Sequence, residues 1–137
     1  MPSLQKTDLA ATALLVVVTL AGVAVWDSLP AEMAIHFGVS GEPDNFVSKP
    51  LGVTLAPAIG LVALAFVRFS ARLDPTADQR TLDASVLFLG ATIAYVQGFV
   101  LAWNLGYRLD PLVVVAPVLV GAGLLTAYAF KRDGILG

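Results

Sequence analysis

The sequence predicts an all-α integral membrane protein, a four-helix transmembrane bundle with an ordered extracytoplasmic loop between helices 1 and 2. Three observations predict it. Charged residues make up 13% of the 137 positions and hydrophobic residues 58%, against roughly 25% charged in an average soluble domain. The mean hydropathy is +0.84. A soluble chain of this size has too few charges to cover that much apolar surface, whereas lipid is itself the solvent for a helix's outer face. The apolar residues also gather into four runs separated by polar intervals, the longest of them 27–50.

The first run, 9–26, carries no charge and spans about 18 residues, just enough to cross the hydrocarbon core. A signal peptide has a shorter apolar region that ends in a small-residue cleavage site. This run ends in Val25, Trp26 and Asp27, so it reads as a retained anchor. The polar interval 27–50 follows. The second run, 51–69, opens behind Ser48, Lys49 and Pro50, a polar cap followed by a proline suited to a first helical turn. Pro57 lies inside it and frees one backbone carbonyl, which a neighbouring helix must satisfy. Arg72 to Asp83 is a charged connector with an Asp74-Pro75 turn signal. The third run is 84–104. Gly106 to Asp110 makes a tight turn, and the fourth run, 111–130, contains Pro117. Lys131, Arg132 and Asp133 close the chain at the water. The whole of 1–137 is one membrane domain's worth of chain.

The basic residues orient the bundle. With four spans, Lys6, Arg68, Arg72, Arg80, Lys131 and Arg132 share one side, and Lys49 and Arg108 share the other. The positive-inside rule places both termini in the cytoplasm of a cell (plasma) membrane protein and the 27–50 loop outside. Trp26 and Trp103 fall at the outer helix ends, where indole rings favour the headgroup layer. Arg68, at the inner end, is expected to snorkel to the surface.

The third helix carries Gly90, Ala94, Gly98 and Ala102 every fourth residue, a row expected to let a neighbouring backbone approach, within the bundle or across a homodimer. Gln97 and Asn104 lie on nearly one face of that helix and are expected to find partners across the bundle. No ionisable residue lies near the middle of a run, which counts against a proton-coupled transporter.

The outer loop is long for a helix connection. Its apolar content (Leu29, Met33, Ile35, Phe37, Phe46, Val47) favours order. Pro30 favours a turn or a short helix through Met33, and Gly38, Gly41 and Pro43 mark at least one tight turn. Asp44 and Asn45 are placed to bond nearby backbone amides. The loop holds the single histidine, His36. With Asp27, Glu42 and Asp44 it supplies ligand atoms for a modest metal site at best. No second histidine, HExxH spacing or nucleophile elbow is present. His36 therefore reads first as a hydrogen-bonder within the folded loop, then as a contact for an external ligand or a proton sensor. No cofactor, metal or catalytic group is expected. The lack of cysteine excludes disulfides, and the lack of a basic cluster argues against nucleic acid.

Leu29-Pro30, Ile35-His36-Phe37, Gly41-Glu42-Pro43-Asp44 and Ser48-Lys49, set between two spans, resemble the signature of a prokaryotic membrane domain of unknown function at the N-terminus of SdpI-type immunity proteins. The resemblance covers roughly residues 9–69. Ala34 departs from it, since the family tends to have proline two residues before the histidine. The resemblance implies a multi-pass membrane protein and, in SdpI-type members, protection against an exported toxic peptide coupled to membrane capture of a repressor. The further C-terminal module of those proteins is not recognisable here. By the resemblance, His36, Gly41, Asp44 and Lys49 are the positions to watch. The function expected is binding, sensing or immunity through the outer loop. The partners expected are the lipid bilayer, an extracytoplasmic peptide or membrane protein, and a cytoplasmic regulator at the Arg72–Asp83 connector. The alternatives are an accessory subunit of a transporter and a small solute transporter.

Overall fold

A computed structural model describes residues 5–132, so Asp133, counted above among the closing residues, lies outside it. Four helices run α1 Lys6–Ala24, α2 Lys49–Arg72, α3 Gln79–Asn104 and α4 Leu112–Arg132. Each is long and apolar enough to cross a membrane. At 1.5 Å per residue the shortest spans about 28 Å. Ser48 is the N-cap of α2 with proline in the first turn, as its sequence implies. α3 begins five residues before the apolar run does, because the Asp78 side chain accepts the Thr81 N–H and caps it. The charged connector is correspondingly shorter.

The bundle is not all-α. The interval between α1 and α2 folds as an antiparallel β-hairpin, β1 Glu32–Phe37 and β2 Pro43–Ser48, preceded by a 3-10 turn at Trp26–Ser28. Of the two readings of Pro30, a turn or a short helix through Met33, the helix is not formed, and the chain is extended from Glu32 onward. The hairpin escapes a reading by alternation because its strands are bulged. Ala34 faces Phe46 and His36 faces Asn45, which leaves Ile35 as the extra residue. Met33 and Ala34, adjacent in sequence and on opposite faces, are nevertheless both buried.

α3 is the central element. It packs against α1, α2, α4 and β1, whereas α4 packs chiefly against α3. Ala11, Leu15, Leu64 and Val86 fill the half of the core away from the hairpin. Val18, Leu29, Met33, Val53, Val100 and Leu101 fill the half beneath it. Burying a side chain such as Met33 there contributes about 1.5–3 kcal/mol. Both interior prolines are compensated from α3. Pro57 leaves the Val53 carbonyl without its helical donor, and the buried Gln97 amide donates to it (3.3 Å) and to the Gly52 carbonyl (2.8 Å). Pro117 does the same to Val113, whose carbonyl accepts the Tyr95 hydroxyl at 2.6 Å.

Candidate functional site

The hairpin is fastened to the bundle by Asn104, the last residue of α3. Its amide oxygen accepts the Ala34 N–H (2.9 Å) and its amide nitrogen donates to the Ala34 carbonyl (2.8 Å). One side chain thus occupies the outer edge of β1 as a neighbouring strand would. Phe37 adds two aromatic contacts to α3, edge-on to Phe99 (5.2 Å) and Trp103 (4.9 Å). On the other face Met33 fits against Gly52, where a Cβ would lie 2.6 Å from the Met33 sulfur.

The signature residues divide into anchors and displayed groups. Leu29 is buried and Pro30 exposed. Lys49 donates from Nζ to the Trp26 carbonyl at 2.9 Å and lies 5.4 Å from the Trp26 ring, so it closes the end of α1. Gly41 adopts φ +86, a conformation that favours glycine, and its N–H bonds the Gly38 carbonyl to shape the hairpin turn. His36 Nδ1–H donates to Asp44 Oδ1 across the hairpin at 2.6 Å, with side chains 69% and 52% exposed. Asp44 therefore bonds the histidine rather than backbone amides. Glu42 is exposed and Pro43 begins β2. Among the described residues, no three His, Cys, Asp or Glu side chains converge on a possible metal position.

An open cleft of about 690 Å³ separates the hairpin turn from the α3–α4 turn, lined in part by Phe37, Glu42, Trp103, Arg108 and Asp110. A second, of about 650 Å³, runs along the hairpin face from Pro30 and Glu32 to Phe46, with Asn104 and Arg108 on its far side. The Arg108 guanidinium lies 4.9 Å over the Trp103 ring and borders both. The buried Trp103 Nε1–H has no hydrogen-bond partner among the described residues.

A group that the linear pattern leaves unmarked stands at the opposite end. Arg68 does not extend freely to the surface. Its Nε donates to Asp8 (2.6 Å), and one terminal nitrogen donates to Asp83 (2.7 Å) and to the Thr7 hydroxyl (3.2 Å). This ties α1, α2 and α3 together. The available signal was the placement of Asp8 and Asp83 beside apolar runs, in register with an arginine one turn inside α2. Nearby, the Thr76 hydroxyl and amide hold the Asp74 carboxyl below the usual carboxylate value. The Thr81 N–H does the same to Asp78, with a smaller contribution from Arg132.

The expected glycine–alanine row does not act as one surface. A Cβ on Gly90 would sit 2.7 Å from the Ala11 Cβ and 2.9 Å from its Cα, so α1 and α3 touch there. Ala94 packs at the edge of the core beneath the hairpin. Gly98 has nothing within 4 Å of a Cβ position, and Ala102 is half-buried. Residues four apart on a helix advance about 40° per step, so the row winds away from its neighbour over three steps.

Residues 13–61 match the model of a family described as Domain of unknown function (DUF1648). The match runs from within α1, through the hairpin, to the middle of α2. No curated protein and no solved structure matches the chain.

Proposed function

We propose that this is a binding or sensing protein, of immunity type, that acts through its hairpin and is not an enzyme. It sits in the plasma membrane with both termini cytoplasmic and the hairpin outside, and its ligand is an extracytoplasmic peptide. One observation carries the reading. The hairpin backbone is fixed at Ala34 by Asn104 and by burial of Met33 and Ala34, while His36, Glu42, Asp44 and Phe46 are displayed to solvent. A rigid display surface recognises; it lacks the paired nucleophile, base and orienting group that catalysis needs. The six-to-two distribution of basic residues supports the orientation. The alternative of an accessory subunit draws on α4, where Val114 is the single buried residue, leaving its remaining faces for lipid or a partner span.

Two measurements test the reading. Cysteines introduced at Ser40 and Ala77 are probed on intact cells with an impermeant thiol reagent, and labelling is expected at Ser40 alone. A displayed random-peptide library is panned against the protein in lipid nanodiscs. Enriched peptides are expected to lose binding to Asn104→Ala, in which the hairpin is released, and to keep it with Arg72→Ala. A library that enriches nothing over empty nanodiscs sinks the proposal.

A further inference from the structure

We propose that the open edge of β2 takes up an extended cationic peptide as a third strand. This rests on the binding role above and names the mode and chemistry of the ligand. The hydrogen-bond ladder decides which backbone groups are free. The Lys49 N–H donates to the Ala31 carbonyl at 2.9 Å, which makes 31 and 49 a hydrogen-bonded pair. In an antiparallel ladder bonded and non-bonded pairs alternate, so Met33 and Val47 form the next bonded pair, and Ala34 and Phe46 a non-bonded one. The N–H and C=O of a non-bonded pair point away from the partner strand. On β1 this is directly visible, because both outward groups of Ala34 are taken by Asn104. On β2 the N–H and C=O of Phe46 and the N–H of Ser48 point the other way.

That side is open. β2 packs only against β1 and the start of α2 to any extent, Phe46 is 52% exposed, and Ser48 is exposed. Natural sheet edges are usually blunted by lysine, proline, bulges or a covering element. Here Pro43 and the bulge near Asp44 blunt the turn half of β2 alone, and the Phe46–Ser48 half carries none of these devices. An extended peptide gains main-chain hydrogen bonds at such an edge.

Charge selects the occupant. The hairpin end of the molecule bears Asp27, Glu32, Glu42, Asp44 and Asp110 against Lys49 and Arg108, a formal charge of −3. Both cations are already engaged, Lys49 on the Trp26 carbonyl and Arg108 on the Trp103 ring. A second copy paired edge to edge would set −3 against −3, whereas a lysine-bearing strand is drawn in.

The probe is a fluorescent synthetic peptide of alternating lysine and valine, titrated against the whole protein in phosphatidylcholine nanodiscs, with an alternating glutamate and valine peptide beside it. The lysine peptide is expected to bind at least roughly tenfold more tightly than the glutamate one, with affinity falling as salt rises. Phe46→Pro removes an outward N–H that the hairpin does not use and should weaken binding by about tenfold, while Phe46→Ala should change it by less than about threefold. Hydrogen exchange of the wild-type Phe46 amide, which is independent of any variant's folding, should slow when peptide is added. If the lysine peptide binds while Phe46 exchange and Phe46→Pro are unaffected, the edge assignment is wrong and the binding role stands. If Phe46 is protected without peptide in a concentration-dependent way, a second copy holds the edge and the proposal fails. If neither peptide binds above empty nanodiscs, the cationic ligand is wrong, and the library panning decides the broader role.

Discussion

Three side chains of α3 satisfy backbone groups outside their own helix. Gln97, Tyr95 and Asn104 serve carbonyls or amides belonging to α2, α4 and β1. For Gln97 the cause is identifiable, since Pro57 left the Val53 carbonyl open. Replacing Gln97 by Leu should therefore cost about 1 kcal/mol. The loss should shrink in a Pro57→Ala background, where the substituted residue supplies the helical N–H itself. A double-mutant cycle measured by reversible unfolding in micelles reads this coupling, and additive costs would show that Gln97 acts through packing alone. Asp78 makes a pH prediction. Its folded-state pKa lies below the ordinary 3.8, chiefly because it accepts the Thr81 N–H. Its contribution is thus complete above the ordinary value and disappears as pH falls through the folded one. The stability difference between wild type and Asp78→Ala should be constant near neutrality and shrink in stronger acid.

Between elements, glycine matters where a neighbouring backbone or side chain approaches closely. Gly90 lies against the Ala11 backbone, which cannot swing aside, whereas Gly98 faces open space. Gly90→Val should destabilise the bundle by about 1–3 kcal/mol or more, and Gly98→Val should leave it folded with an unchanged melting temperature. Equal damage at both positions would restore the continuous row that the sequence suggests. Met33 on Gly52 repeats the logic at the hairpin, where a glycine on α2 receives a side chain from β1.

Across the whole molecule the two ends are built differently. One is closed by the hairpin and its aromatic contacts, the other by Arg68 between two carboxylates. Arg68→Ala leaves Asp8 and Asp83 facing each other without their shared cation. We expect a loss of about 2 kcal/mol or more, partly recovered by adding Asp83→Asn, which lowers the remaining repulsion. Thermal unfolding in detergent checks the order wild type, double variant, single variant. A silent single variant would mean that solvent already screens the cluster.

Composition and apolar run length determined by themselves that this chain has four helices able to cross a membrane, because both follow from hydrocarbon thickness and local sequence. Ser48, Lys49 and Pro50 marked the start of α2, and Gln97 and Asn104 announced themselves as amides in apolar helices that need partners. The hairpin was not legible. Its bulge at Ile35 breaks the two-residue alternation that identifies a strand, and Met33 and Ala34 are both buried only because the bundle end lies beneath them. Nor was the division of the signature residues into Lys49 as anchor and His36 and Asp44 as display. That depends on which side of a strand faces a helix and on partners 70 residues apart, Ala34 and Asn104. The Arg68 cluster was hidden for the same reason, since it joins Asp8 to Arg68 across 60 residues and Thr7 to Asp83 across 76. Period and propensity are local properties, whereas edge pairing, burial and charge clustering exist only once distant segments are brought together.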